Sequence, residues 1–100
     1  MSAFYHNITG ELTTELITPG DRERISSVTM ANVHATLPCS VDLFVEKIDH
    51  GRFYYFKGLV LPANTSVNQG VSFNNNIGEF GLYIKLTKSA SEVPAVDVIL

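Results

Sequence analysis

The feature that most constrains this chain is an alternation of apolar and polar residues with a period of two. It is clearest in the segment Ser40–Ile48, which reads S-V-D-L-F-V-E-K-I. Successive strand residues point to opposite faces of a sheet, so this pattern gives one apolar face and one mixed face. No long capped segment shows the spacing that an amphipathic helix requires. The chain is therefore predicted to be built from strands.

Further strand-like segments follow one another, separated by turn signals at intervals of about ten residues. The segment Phe53–Leu61 is predicted to pair with Ser40–Ile48 as a hairpin across the turn Asp49-His50-Gly51, with a bulge or break at Gly58. One or two short strands are expected within Pro62–Gly81, around Val67 and Val71–Phe73, with a loop at Asn74-Asn75-Asn76. The other predicted strands are Phe4–Thr9, Glu11–Thr18, Arg24–Val33, Leu82–Thr87 and Ala95–Leu100.

The number and spacing of these strands predict the fold class. About seven to nine short strands without a helical crossover favour an all-β fold, a single antiparallel β-sandwich of jelly-roll-like or immunoglobulin-like topology. One hundred residues correspond to one domain, 1–100, and a chain of this length buries roughly 65% of its unfolded surface. A hydrophobic fraction of 45% and a net charge of −3 are typical of a folded chain rather than a disordered one.

The charge distribution and the apolar runs exclude two classes of partner. The seven basic residues are scattered along the chain, whereas nucleic-acid binding requires clustered Lys and Arg. No apolar run approaches the roughly 20 residues that span a bilayer, and the N-terminus lacks the pattern of a secretory signal. We therefore expect neither nucleic acid nor membrane as a partner, and a chain used without secretion.

The number and spacing of the cysteine and histidine residues predict neither a metal site nor a disulfide. A single cysteine, Cys39, excludes an internal disulfide and any zinc site with several cysteines. Cys39 is predicted to be a small apolar residue of the core, although His34 and His50 stay open as partners for a nucleophile. His6 and the other two histidines lack a zinc-ligand spacing.

Carboxylate and glycine patterns do not predict catalysis either. Asp42 and Asp97 alternate with core-facing valines, so they are expected on outer strand faces rather than as a glycosidase pair in one cleft. No glycine-rich phosphate-binding motif is present. The sequence thus predicts no enzyme activity, no metal and no cofactor.

The run Phe53-Tyr54-Tyr55-Phe56 indicates a surface for contacts. Because consecutive strand residues face opposite sides, one side of this run covers the core, and the other is either a solvated tyrosine face or an interface. The apolar end Val98-Ile99-Leu100 is expected to be buried in the sandwich or inserted into a neighbouring subunit. The candidate interface residues are Tyr54, Phe56, Tyr83, Val98, Ile99 and Leu100.

Several segments, in their order along the chain, carry a family resemblance. They are H-N-I-T, R-I-S-S-V-T-M-A-N-V, V-D-L-F-V-E, F-Y-Y-F-K-G-L-V-L-P-A-N-T-S and the ending V-D-V-I-L. The pattern resembles the small β-sandwich virion proteins of tailed bacteriophages, including those of marine cyanobacterial phages. The resemblance spans nearly the whole chain.

This resemblance implies a structural component of a phage particle, located in the virion after assembly in the host cytoplasm. It implies a capsid decoration or cement protein that binds the major capsid protein or other virion proteins, as a homo-oligomer or in many copies. A neck, tail or fibre-attachment protein is the alternative within this class. A different functional class, a carbohydrate-binding module, is also compatible with the exposed aromatic residues and the asparagine-rich segment 64–76.

Overall fold

The computed structural model of the chain describes residues 5–47, 49, 51–75, 79–88 and 93–100. The described residues form eight strands and no helix. The strands are β1 (Tyr5–Thr9), β2 (Thr14–Ile17), β3 (Arg24–Asn32), β4 (Cys39–Lys47), β5 (Gly51–Leu61), β6 (Thr65–Asn74), β7 (Gly81–Lys88) and β8 (Ala95–Ile99).

The strands form two four-stranded sheets in which all neighbours run antiparallel. The first sheet has the order β1-β8-β3-β6, and the second sheet has the order β2-β7-β4-β5. Every connection except that from β4 to β5 crosses from one sheet to the other. The predicted antiparallel β-sandwich is confirmed, with eight strands in the expected range of about seven to nine.

The strongest local prediction, the β4–β5 hairpin, is also confirmed. Its ladder runs from Cys39 opposite Leu61 to Lys47 opposite Gly51. The predicted irregularity lies at Gly58, which has a φ of +72°. Asp49 lies in the turn, whereas His50 is outside the described residues.

Two segments differ from their predictions. Within Pro62–Gly81 a single ten-residue strand, β6, replaces the one or two short strands that were expected. It stays extended despite its Asn and Gly residues because β3 supplies ladder partners along its whole length, so tertiary pairing outweighs intrinsic preference. Within Glu11–Thr18 only Thr14–Ile17 is a strand, since the preceding residues connect the two sheets.

The core lies between the sheets and contains the inward-facing side chains of all eight strands. Cys39 is among them, 2% exposed, which confirms its predicted role as an apolar packing residue. The other core residues are Ile8, Leu16, Ile17, Ile25, Val28, Met30, Val41, Leu43, Leu61, Val71, Phe73, Leu82, Ile84, Leu86, Val96 and Val98.

The predicted asparagine loop after β6 is only partly a loop. Asn74 is the last residue of β6, and Asn76 lies outside the described residues. Asn75 is buried, and its Nδ2 donates hydrogen bonds to the carbonyl oxygens of Asp21 and Phe80, each at 2.7 Å. Its Oδ1 accepts a bond from the Phe80 N–H at 3.0 Å. The side chain therefore joins three chain segments where β7 begins.

Candidate binding surface

An aromatic row crosses the outer face of the second sheet. Phe44 alternates with the core residues of β4, so it points away from the core. The ladders place Tyr54 of β5 directly opposite it on one side and Tyr83 of β7 on the other. The Phe44 ring centre is 5.3 Å from that of Tyr54 and 5.7 Å from that of Tyr83, with which it stacks at 22°.

Arg52 covers the centre of this row. Its guanidinium carbon lies 4.1 Å from the Phe44 ring centre, a cation–π contact. Arg52 Nε donates to Glu46 Oε2 at 3.2 Å, and Nη1 donates to the Tyr54 hydroxyl at 3.3 Å. The bond to Tyr54 and the pairing with Glu46 raise the pKa of Arg52. Phe44 is consequently only 1% exposed although it lies outside the core.

Tyr83 completes the row beside a cleft rich in carboxylates. Its ring lies over Gly81, where an added Cβ would come within 2.5 Å of the Tyr83 hydroxyl oxygen, so glycine leaves the space that the ring occupies. Loss of hydration, followed by the nearby charges of Glu15 and Glu46, raises the pKa of Tyr83. The adjoining cleft encloses about 310 Å³ and is lined by Glu15, Pro19, Glu46, Lys47, Asp49, Glu79 and Tyr83.

We use the name aromatic face for Tyr83, Phe44, Tyr54, Arg52 and Glu46. Charged groups flank it: Lys57 Nζ is 5.2 Å from the Tyr54 ring centre, and Lys85 lies opposite Asp42 in the β4–β7 ladder. Each aromatic ring of the face is held by at least one neighbouring ring or cation. The rings of the face are therefore held by contacts within the domain.

The structure brings together only two of the six predicted interface residues. Tyr54, 40% exposed, and the partly buried Tyr83 both belong to the aromatic face. Phe56 is partly buried and packs against the core. The sequence pattern identified neither Phe44 nor Arg52 as a surface residue of interest, although the position of Phe44 on the mixed face of V-D-L-F-V was a usable signal.

The residues of the segment Val98-Ile99-Leu100 differ in burial because successive strand residues face opposite sides of the sheet. Val98 is fully buried in the sandwich, one of the two outcomes expected for this segment, and Leu100 packs against the core. Ile99 is 45% exposed on the outer face of the first sheet, opposite Tyr5 in the β1–β8 ladder. Burial in the sandwich therefore holds for Val98 and not for Ile99.

The carboxylates of Asp42 and Asp97 each accept a hydrogen bond from a neighbouring strand of their own sheet, and the two residues lie in different sheets. Asp42 Oδ1 accepts the backbone N–H of Gly58 at 2.7 Å, which fixes the bulge in β5. Asp97 Oδ1 accepts from Asn7 Nδ2 at 2.7 Å and joins β8 to β1. Because Asp42 lies in the second sheet and Asp97 in the first, they do not share a cleft.

Two of the groups considered for nucleophilic chemistry, His34 and Cys39, lie in structural surroundings. His34 Nδ1 accepts the backbone N–H groups of Thr36 and Leu37, each at 3.1 Å. Burial raises the pKa of the Cys39 thiol, which opposes thiolate formation. Among the residues that the structure describes, no three His, Cys, Asp or Glu side chains form a metal-binding group. His50 lies outside them.

The described residues also include no helix long and apolar enough to cross a membrane.

These features define the class of the protein as an open, eight-stranded antiparallel β-sandwich, and comparisons with solved structures give the same class. The chain is similar to the crystal structure of PirA, with a TM-score of 0.67 and 13% identity, over 99% of this chain and 94% of that one. It is also similar to a chain of the infectious bursal disease virus Gt strain, with a TM-score of 0.60 and 13% identity over 98% of this chain.

At this level of identity the similarity concerns the fold alone. The chain spans only 30% of the viral chain that it matches. No known protein family matches the sequence, and no curated protein matches it.

Proposed function

We propose that this domain is a non-enzymatic structural component of a tailed-phage particle, most specifically a capsid decoration or cement protein that binds the assembled shell. Its partner is then the major capsid protein or another virion protein, and its location is the virion. The observation that carries this proposal is the aromatic face, an outer surface on which tyrosine and arginine side chains lie together.

The strand order supports the proposal at the level of the fold. Crossing between sheets at every connection except β4–β5 is the connectivity of a jelly roll, which we infer to be the topology, rather than the immunoglobulin-like alternative. Viral capsid domains are among the common users of the jelly roll. A similar fold occurs in a chain of a virus structure, although fold alone does not assign a function.

The aromatic face supports a docking role in energetic terms. Tyrosine and arginine, together with tryptophan, are enriched at the energetic centres of protein interfaces. Tyr54 and Arg52 are already held by Phe44 and Glu46, so binding would order few additional rotatable bonds. In a decoration protein, many identical weak contacts of this kind add through multivalency.

The same geometry gives less support to the carbohydrate-binding alternative. Sugar recognition by stacking requires a ring face that is open to the ligand. The central ring, Phe44, is 1% exposed and is covered by Arg52, and Lys57 lies over Tyr54. An enzyme is supported still less, because Asp42 and Asp97 make structural hydrogen bonds on different sheets and the Cys39 thiol is buried.

The test is to purify DNA-filled particles of the phage that encodes the chain and to quantify the protein against the major capsid protein by mass spectrometry. A decoration protein is expected on the order of hundreds of copies per particle, because it repeats over the shell. A count of about a dozen or fewer would replace the decoration role with a neck or tail role. Absence from the particles would overturn the proposal altogether.

A further inference from the structure

The sandwich has four edge strands, and an edge strand exposes unpaired backbone N–H and C=O groups that attract other strands. In the first sheet the edges are β1 and β6, and in the second they are β2 and β5. Folded proteins usually protect such edges by short length, charge, proline or bulges. The four edges differ in how far they are protected.

Three of the four edges are protected in these ways. β1 and β2 are short, with five and four residues. The ladder between β2 and β7 is also interrupted by a register shift between Glu15 and Ile17. β5 is long, but its ladder with β4 is interrupted by two register shifts, and Gly58 bulges with a φ of +72°. β5 also carries the charged residues Arg52 and Lys57.

The remaining edge strand, β6, is long and carries no charge. It has ten residues, and none of the chain's seven basic and ten acidic residues lies in it. It contains no proline, and Asn68 and the flanking Ser66 and Ser72 are small, exposed polar residues. Its single register irregularity lies near the end that faces Ile25 and Ser27, so Thr65–Gly70 is regular.

The composition of β6 fits a second copy of itself. In a chain with a net charge of −3, an uncharged strand can approach its own copy without like-charge repulsion. Its alternation also matches in the antiparallel sense, because Val67, Val71 and Phe73 face inward, with Gln69 between the two valines, while serine and asparagine residues face outward. An antiparallel pair centred on Gln69 places this residue opposite its own copy, Val67 opposite Val71, and Ser66 opposite Ser72.

The side of the sandwich that contains β6 is large enough for such an association. β6 and β5 are the last strands of their sheets on the same side, and they contact each other. The edge strand β5 on this side carries the exposed residues Phe53 (55%) and Tyr55 (37%). With molecular dimensions of 41 × 22 × 20 Å, this side offers on the order of 800 Å², about what each partner buries in a standard interface.

We propose that two copies of the chain associate through this side, with β6 of one copy pairing antiparallel to β6 of the other about a two-fold axis. The first sheets of the two copies then form one continuous eight-stranded sheet, and the exposed aromatic residues of β5 pack below it. Closed two-fold pairing is the commonest form of homo-oligomer. This inference does not rest on the proposed virion role.

Sedimentation equilibrium across the micromolar range tests the pairing. The wild-type chain, 11.0 kDa as a monomer, is expected to reach twice that mass. The variant Ser66→Lys/Ser72→Lys places positive charges of both copies at the shared edge, and it is expected to stay monomeric. The matched control, Tyr5→Lys/Thr9→Lys, adds the same charge to exposed positions of β1 and is expected to dimerise like the wild type.

Hydrogen exchange of the wild-type chain provides a second measurement that needs no variant. Amide exchange in β6 is expected to slow as the protein concentration rises. Exchange in β1 is expected to stay the same at all concentrations. A wild-type chain that is monomeric throughout, or a dimer that the β6 lysines leave intact, would overturn the pairing. Neither result bears on particle association, which copy number in purified virions measures separately.

Discussion

At the scale of single residues, buried polar side chains tie the loops to the sandwich. Asn75 makes three hydrogen bonds to the backbone, at 2.7, 2.7 and 3.0 Å. Asn75→Ala would leave two carbonyl oxygens and one N–H without that partner. We expect a loss of about 2–3 kcal/mol in the free energy of unfolding, measured by urea titration.

The neighbouring residue supplies the control. Asn74 is exposed at the end of β6, so Asn74→Ala is expected to change the stability by less than about 0.5 kcal/mol. Equal losses from both variants would show that the hydrogen bonds of Asn75 are not what stabilises this junction.

Gly58 lies at the bulge of β5 and has a positive φ. Its φ of +72° strains any residue with a Cβ, although no atom lies within 4 Å of the added methyl group. Gly58→Ala is therefore expected to lower stability by roughly 1 kcal/mol. Gly70→Ala is the matched control, because Gly70 also has open space and lies in a strand without a positive φ. Thermal unfolding of the two variants gives the comparison, and equal melting temperatures would contradict this explanation.

Tyr83 is expected to make the free energy of unfolding depend on alkaline pH. Its pKa is raised above the ordinary value of 10.0, first by loss of hydration and then by Glu15 and Glu46. The unfolded chain therefore releases the phenol proton first, so this contribution to stability is complete below pH 10.0 and declines as pH rises through the folded-state pKa. Tyr83→Phe is expected to flatten the alkaline decline in urea-unfolding free energy.

A second variant separates the causes of that shift. Glu15→Gln removes one of the two nearby charges, so its alkaline slope is expected to lie between those of wild type and Tyr83→Phe. Identical slopes for all three proteins would show that Tyr83 does not govern the alkaline behaviour.

At the scale of elements, the aromatic row is a cross-strand unit that couples β7, β4 and β5. The Phe44 and Tyr83 rings stack with centres 5.7 Å apart, and stacked pairs contribute about 0.5–1.5 kcal/mol beyond their buried area. A double-mutant cycle of Phe44→Ala and Tyr83→Ala is expected to give a coupling energy in this range. A cycle of Phe44→Ala with Tyr5→Ala, across the sandwich, is expected to give none.

The elements also show what a sequence can and cannot predict. The β4–β5 hairpin was predictable because alternation and a turn signal are local. The length of β6 was not, since its Asn and Gly residues are held extended by β3, about 40 residues away in the chain. The burial of Phe44 on the outer face was not predicted. It depends on Arg52 of the neighbouring strand and on Tyr83, which lies beside Phe44 only because β7 pairs with β4 over a long sequence distance.

At the scale of the whole molecule, sequence patterning predicted two packed sheets without their strand order. The pairing of β1 with β8, fixed in part by the Asn7–Asp97 hydrogen bond, joins the two ends of the chain. Such contacts have no local signal, because they arise only when both sheets close over the core. Tyr54 and Tyr83 could be predicted as surface residues, whereas their meeting in one face required the β7-β4-β5 order.

The molecule presents two unlike outer faces. The second sheet carries the aromatic face with its flanking charges. The first sheet presents small polar side chains such as Thr29 and Asn68, which share a 2.7 Å hydrogen bond, together with the exposed pair Tyr5 and Ile99. Under the proposed virion role, the aromatic face, and not the outer face of the first sheet, is expected to dock onto the particle.

The most direct test of the proposed virion role is the affinity of the purified domain for particles that lack it, compared between variants of the two faces. Tyr54→Ala/Tyr83→Ala, once shown to be folded, is expected to bind at least about tenfold more weakly than wild type. Tyr5→Ala, which removes a ring that is 77% exposed on the first sheet, is expected to bind like wild type. Unchanged binding of the double variant, or a loss confined to Tyr5→Ala, would contradict the account.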